Sequence, residues 1–368
     1  MIRLPPHHDE IEYRMTEFAE LDTPCAIVDL DCVERNLRTF QEYCDEHGIA
    51  LRPHIKTHKI PDFALQQIAV GAKGITCQKI GEAEVMADAG IGDILITYNI
   101  LGTRKLARLR ALADRIDLLR VVVDSETVAQ GLSDAFSGRE QPLEVLVECD
   151  TGAGRCGVQS PADAASLARI VDNLAGLKFI GLMTYPPNGG MAKVEQFFRD
   201  AMDECAKSGL ECPVRSSGGT PDMWQAHEAP VVTEYRIGTY IYNDKSVMAR
   251  GGCLEEDCAL RVLSEIVSLP APGRAIIDAG SKALTSDLFG LEHFGHVVGH
   301  GDVTVKSLSE EHGILTFDPE SQPFKIGQRI QIIPNHVCVV SNMFDYVQLC
   351  RNGIFENAAF VAARGKMV

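Results

Sequence analysis

No segment of this chain approaches the roughly 20 consecutive apolar residues of a membrane-spanning helix, so no membrane partner is expected. The opening stretch, MIRLPPHHDEIEYRM, has no apolar core of the kind a secretory signal carries. Positive charge is scarce. Thirty-five Lys and Arg stand against 51 Asp and Glu, a net charge of −16, which argues against a nucleic-acid partner. The 12 cysteines show no repeated CxxC spacing, and several, such as Cys77 and Cys149, lie inside apolar runs. Cysteines scattered in that way suit reduced, buried thiols in a cytoplasm better than a disulfide scaffold. Internal repeats and low-complexity tracts are absent. What is present is an ordinary globular composition, 45% hydrophobic and 23% charged. Its 368 residues are enough for two domains, or for one large domain with an appendage.

The first two-thirds alternates strand-like and helix-like segments. Short β-rich runs occur at CAIVDL, GITC, DILIT, LLRVVVD, LEVLVEC and KFIGLMT. Between them lie helical stretches such as DCVERNLRTFQEYCDEHG, IGEAEVMADAG and SPADAASLARIVDNLAG, several followed by Gly. Asp31, with Glu34 three residues on, is the expected cap of the first helix. About eight β/α units fit between Thr23 and Met248, which favours a closed parallel barrel over an open sheet. After Gly251 the texture changes to short strands broken by Gly, Pro and Asp turns, the pattern of a separate β domain.

The densest polar cluster is ALRPHIKTHK, residues 50–59. Its apolar lead-in reads as a strand leaving a core, and alternation would put Arg52, His54, Lys56 and His58 on one face. A polar strand end accounts for this pattern. So does a lysine that forms an imine, since an amine buried among cations is the neutral nucleophile that reaction requires. A second cluster, SSGGTPDM at 216–223, is followed by RIGTYIYND at 236–244. Two small-residue turns at adjacent strand ends late in a barrel make a backbone cradle for phosphate. Phosphate together with an imine-forming lysine points to pyridoxal 5′-phosphate. The loop DTGAGRCGV, residues 150–158, offers Arg155 either for a surface ion pair or for the ring oxygen of such a cofactor. In PNHVCVVSNMFD, residues 334–345, His336 and Cys338 would face the same side of a strand. Such a pair is half of a zinc site, although spacing alone favours a buried His and Cys in a core.

The segments TPCAIVDLD, RPHIKTHK, GEAEVMADAGIGDILIT, DTGAGRCGV, SSGGTP, DAGSKALTSD, SEEHG and PNHVC occur in this order from Thr23 to Cys338. Together they resemble the D-threonine aldolase / D-serine dehydratase family, fold-type III pyridoxal enzymes related to alanine racemase. The resemblance covers nearly the whole chain. It implies an α/β fold, with an N-terminal (β/α)8 barrel over residues 20–250 and a C-terminal antiparallel β domain over 251–368, joined by residues 1–19. It implies that Lys56 carries the cofactor and that Ser217, Gly218, Gly219, Gly238 and Thr239 form the phosphate turns. Arg155 matches the arginine near the ring oxygen; His54, Tyr185, Thr220 and Tyr240 complete the cofactor set. Arg236 stands two residues before Gly238, as in the R-x-G pattern whose arginine meets the pyridine nitrogen, where some members carry Gln. An arginine there keeps that nitrogen unprotonated and weakens the ring as an electron sink, leaving more to a metal acting on the substrate hydroxyl. His336 and Cys338 match the family's metal-binding pair.

Two departures bear on the activity. The aldolase pattern has His after the tyrosine of a YHG-like segment; here Tyr185 is kept and Pro186 follows it. His-x-Asp is common in aldolases, whereas His-x-Cys is the arrangement of zinc-dependent D-serine dehydratases and of some aldolases, and thiolate favours zinc over manganese or magnesium. The resemblance therefore implies a lyase dependent on pyridoxal phosphate and a divalent metal, acting on small D-β-hydroxy-α-amino acids, with Lys56 and Tyr185 as its catalytic side chains. Aldolase cleavage to glycine and an aldehyde leads. The alternative is a zinc-dependent D-serine or D-3-hydroxyaspartate dehydratase giving a 2-oxo acid and ammonia. A racemase, or a non-catalytic pyridoxal carrier without the β domain or metal pair, stands further off. A cytoplasmic homodimer is expected.

Overall fold

In the computed structural model, which describes residues 16–17 and 21–368, the chain enters through β1 (Thr16–Glu17) and β2 (Cys25–Asp29) and turns into α1 (Leu30–Glu46). The cap of α1 is Asp29, whose carboxylate accepts the Cys32 amide at 3.1 Å, and not the expected Asp31. Asp31 and Glu34 are drawn instead to Arg351, far along the chain.

Eight strands then form one parallel sheet: β3 (Ala50–Leu51), β4 (Ile75–Cys77), β5 (Asp93–Ile96), β6 (Leu118–Val123), β7 (Leu143–Cys149), β8 (Leu177–Thr184), β9 (Val214–Gly218) and β10 (Glu234–Arg236). Their order runs β3-β10-β9-β8-β7-β6-β5-β4. The two ends meet through a parallel bridge between His54 and Thr76, with Thr76 N–H donating to Pro53 O at 2.7 Å. The helices α2 (Pro61–Ala69), α3 (Ile80–Asp88), α4 (Thr103–Ala113), α5 (Glu126–Phe136), α6 (Pro161–Asn173) and α7 (Met191–Ala206) follow successive strands, and α8 (Lys245–Met248) closes the series. The strands are apolar on both faces because both are buried. Leu95, Val122, Leu146 and Met183 form a small cluster of their own, while alternate residues such as Val121, Val123 and Val145 join the main core with the helices. This is the expected (β/α)8 barrel.

The later strands make a second, mixed but largely antiparallel sheet from β11 (Leu260–Ala271), β12 (Arg274–Ile277), β13 (His296–Val297), β14 (Thr304–Leu308), β15 (Gly313–Thr316), β16 (Arg329–Ile333), β17 (Tyr346–Arg351) and β18 (Ile354–Phe360). Two short helices, α9 (Ser281–Leu284) and α10 (Val337–Ser341), interrupt it. The run CAIVDL, counted above with the barrel units, belongs here: β2 pairs antiparallel with β11 and parallel with β17. β1 also lies in this sheet, against Ile354 and Phe355 of β18. The rest of the expectation for residues 1–19 falls outside the described residues. No helix among the described residues is long and apolar enough to cross a membrane.

Candidate active site

The stretch RPHIKTHK does not continue as a strand. β3 stops at Leu51, and Ile55–Thr57 winds a single 3-10 turn, so strict alternation fails. Arg52 is buried against Asp93 (2.7 Å) and Glu234 (2.7 Å), and His58 is buried against Gln67 (3.3 Å). Of the four side chains, only His54 and Lys56 reach the cleft described below. His54 caps the turn, its Nδ1 accepting the Lys56 amide at 3.4 Å. Gln78 donates from Nε2 to Thr97 O at 2.9 Å, which leaves its Oε1 to accept from His54 Nε2 at 3.1 Å. Burial, and then the neighbouring Lys56, hold the His54 pKa well below the ordinary histidine value, so the ring stays neutral. Among the described residues no carboxylate pairs with Lys56, whereas Lys59 is bound to Glu82 at 3.0 Å.

A single cleft gathers His54, Lys56, Arg155, Tyr185, Gly219, Thr220, Arg236, Gly238, Thr239, His336 and Cys338. Gly219 lies at φ +124°, a conformation that favours glycine, with its carbonyl held by the Tyr235 hydroxyl at 2.8 Å. A Cβ on Gly238 would come within 2.7 Å of Thr57 Oγ1 and 3.0 Å of His54 O, so this turn approaches the segment that carries Lys56 as closely as glycine permits. Thr220 Oγ1 accepts the Thr239 amide at 3.2 Å and ties one turn to the other. Ser217 Oγ is buried without a partner. Gly218 packs on Arg236 O, and Tyr240 turns away from the cleft: its ring meets Phe40 and its hydroxyl accepts from Gln67 at 3.1 Å. Ser217 is not among the residues that line the cleft; the Gly219–Thr220 and Gly238–Thr239 turns with the cationic side chains beside them fit pyridoxal phosphate.

Arg155 lies 4.6 Å over the Tyr185 ring and 3.9 Å from the buried Glu148, whose carboxyl is pushed up by burial. Arg236 is buried, bonded from Nη1 to Ser216 Oγ at 2.6 Å and from Nη2 to Thr184 O at 2.7 Å. Burial lowers its pKa to about 10, which leaves it charged at neutral pH.

His336 and Cys338 do not lie on a strand. His336 is the N-cap of α10 and Cys338 sits in its first turn, and both face the cleft. Asp244, fully buried, accepts His336 Nδ1 at 2.9 Å and the Val337 amide at 3.1 Å. Thr57 Oγ1 is 3.2 Å from Cys338 Sγ. Burial pushes the Cys338 thiol up, but His336 and Lys56 outweigh it and hold the thiol below its ordinary value. Burial likewise pushes His336 down, yet Cys338 and Asp244 raise it to about 10. A soft sulfur and an imidazole oriented by a carboxylate fit a divalent metal. Among the described residues no third His, Cys, Asp or Glu completes the set, so such a site stays open to water or substrate.

Sequence reasoning missed Gln78, Asp244 and Phe289, the last stacked on His336 at 4.2 Å. Asp244 precedes its partner by 92 residues, and no local spacing signals that contact.

The family model described as alanine racemase, N-terminal domain, matches residues 28–246, and a serine dehydratase domain model matches 259–350. A D-threonine aldolase of Arthrobacter sp. is 34% identical over 360 residues, 94% of each chain. The crystal structure of a D-threonine aldolase from Filomicrobium marinum superimposes with a TM-score of 0.89 at 32% identity, covering 97% of this chain and 100% of that one. A cysteine-to-alanine variant of D-threo-3-hydroxyaspartate dehydratase, solved in the metal-free form, gives a TM-score of 0.85 at 31% identity, covering 94% and 99%.

Proposed function

The chain belongs to the alanine racemase N-terminal domain family, and from that premise we propose that this pyridoxal phosphate-dependent lyase cleaves D-β-hydroxy-α-amino acids to glycine and an aldehyde. One observation carries the reading: Lys56, Arg155 and Arg236 of the barrel share a cleft with His336 and Cys338 from beyond β16. A lysine without a carboxylate partner, a cradle for phosphate and a pair of metal donors meet at one place.

Pyridoxal phosphate, when bound, takes up the electron pair left at Cα, and a divalent metal held by His336 and Cys338 supplies Lewis acidity to a substrate hydroxyl. The thiolate makes zinc the favoured ion over manganese or magnesium. Breaking Cα–Cβ turns the β-hydroxyl into a carbonyl; the hydroxyl proton passes to solvent water in the open cleft, and one proton must reach Cα. Lys56 Nζ is the group placed to hold and deliver the Cα proton. Arg236 supplies a fixed positive charge at the cleft wall, Arg155 covers Tyr185, and the Gly219 and Gly238 turns bind phosphate through backbone amides. His54, neutral and locked by Gln78, shapes the cleft without competing for protons.

Two features favour dehydration as the second reading: Cys338 in the metal pair, and the buried Pro186 after Tyr185 in place of histidine. There Lys56 Nζ takes the Cα proton, the hydroxyl gains a proton and leaves as water, and a second water hydrolyses the released 2-imino acid to the 2-oxo acid and ammonia. Incubation with D-threonine, D-serine and D-3-hydroxyaspartate, with glycine and 2-oxo acid measured separately, decides between them. Glycine from D-threonine is the expected result; 2-oxo acid alone would reverse the order, and neither product from any of the three would sink both. The fold also supports a homodimer of two such chains, which full activity of a sedimenting monomer at micromolar concentration would exclude.

A further inference from the structure

Barrel interiors are ordinarily filled by branched aliphatic side chains. One end of this one carries charge instead. Near the N-terminal ends of the strands, Lys178 Nζ meets Glu144 at 3.0 Å, Glu144 meets Arg120 Nε at 2.9 Å, and Arg120 Nη1 approaches Asp93 at 3.5 Å. Asp93 meets Arg52 Nη1 at 2.7 Å, and Arg52 Nε meets Glu234 Oε2 at 2.7 Å. Signs alternate from β8 through β7, β6 and β5 to β10. At Glu234 the ladder leaves this end: Ser216 Oγ donates to Glu234 Oε1 at 2.7 Å and accepts Arg236 Nη1 at 2.6 Å.

We infer that Ser216 and Glu234 are positioning residues that fix the Arg236 guanidinium in the orientation it presents to the cofactor ring. The inference rests on the reading that Arg236 faces bound pyridoxal phosphate. A hydroxyl has one proton to give. Because the Ser216 proton goes to Glu234, the Ser216 oxygen is left to accept from Arg236, and the direction of the relay is set. Ser216 and Glu234 are both buried, so no water competes for these bonds. The second anchor, from Nη2 to Thr184 O, holds the other edge of the guanidinium. A guanidinium tied at two terminal nitrogens cannot rotate, and its plane relative to the cleft is fixed before anything binds. Glu234 also sets how much positive charge the ring would meet, since it lies between two arginines.

The test uses the full chain loaded with pyridoxal phosphate and reads the cofactor dissociation constant and absorption maximum. Ser216→Ala deletes the link and leaves every charge in place. The expected result is a dissociation constant raised about three- to tenfold, less than the full worth of one charge-assisted hydrogen bond because Thr184 O still holds the other edge of Arg236, with a shifted absorption maximum. In an Arg236→Gln background the same change should alter the constant by less than about 1.5-fold and leave the maximum unmoved. Glu234→Gln removes a buried counter-charge and endangers the fold, so Ser216→Ala carries the test, with melting of the cofactor-free chain as control. If Arg236→Gln alone changes neither affinity nor spectrum, the reading of Arg236 fails first. If Arg236→Gln acts but Ser216→Ala does not, or costs the same in both backgrounds, the positioning role is overturned and the ladder only holds the barrel.

Discussion

Two lysines three positions apart differ in what faces them. Lys59 is buried at φ +57° and paired with Glu82 at 3.0 Å; Lys56 opens on the cleft with no carboxylate opposite it among the described residues. Borohydride reduction should therefore fix pyridoxal phosphate to wild type and to Lys59→Ala, but not to Lys56→Ala. Lys59→Ala should lose stability, on the order of 3 kcal/mol, because it strands a buried carboxylate. A labelled peptide carrying the cofactor on Lys59 would refute the assignment. His58 gives a pH prediction. Burial drives its pKa from 6.5 down to about 4, so the folded state prefers the neutral ring. The stability this contributes is complete above about 6.5 and is lost as pH falls toward 4, by about 3 kcal/mol in all. His54 acts in the same direction. Urea unfolding at pH 7 and pH 4.5 should show a smaller acid loss in His58→Asn than in wild type; equal losses would show that His58 does not titrate on unfolding.

At the scale of elements, periodicity disclosed most of what is present. The runs GITC, DILIT, LLRVVVD and LEVLVEC become β4 to β7 because buried parallel strands are apolar throughout. Connections to distant partners were not legible. Pairing with the distant Tyr235 and Ile237 carbonyls carries the chain extended as far as His54, and the turn at Ile55–Thr57 begins only there, with His54 as its cap. The cap of α1 was misread for the same reason, since Arg351 claims Asp31. His336 and Cys338, expected on a strand, are presented to the cleft by α10 instead. That difference yields a prediction. On a helix start the pair depends on what fixes the N-cap, and Asp244 does so through His336 Nδ1 and the Val337 amide. Asp244→Asn should keep the cap of α8 but raise the dissociation constant for zinc about 10- to 100-fold, with pyridoxal phosphate affinity unchanged. Unchanged zinc affinity, measured by competition with a chromophoric chelator, would remove Asp244 from the proposed site.

At the scale of the whole molecule, charge is divided. The chain carries −16 overall, yet the cleft is lined by Lys56, Arg155, Arg236 and Arg250, and no carboxylate is among the described residues that line it. A phosphorylated cofactor and an amino acid substrate are drawn to that local field, whatever the net charge. The cleft also joins two bodies of structure. Lys56 and the glycine turns stand on the barrel, while His336 and Cys338 follow β16 of the mixed sheet, and the 3.2 Å approach of Thr57 Oγ1 to Cys338 Sγ spans them. The two proposed loads therefore rest on different supports and should be separable. A strong chelator should abolish turnover and leave the absorption of bound pyridoxal phosphate intact. Zinc should restore activity at the lowest concentration, because thiolate is a soft ligand. Cys338→Asp should move the preference toward manganese and lower whatever share of 2-oxo acid accompanies glycine. Since protonated thiol and imidazolium must both give up protons to a metal, reloading should weaken as the solution is acidified. If metal-free protein, checked by elemental analysis, turns over D-threonine at the full rate, then His336 and Cys338 are packing residues, and Lys56 with the barrel residues of the cleft must perform the cleavage alone.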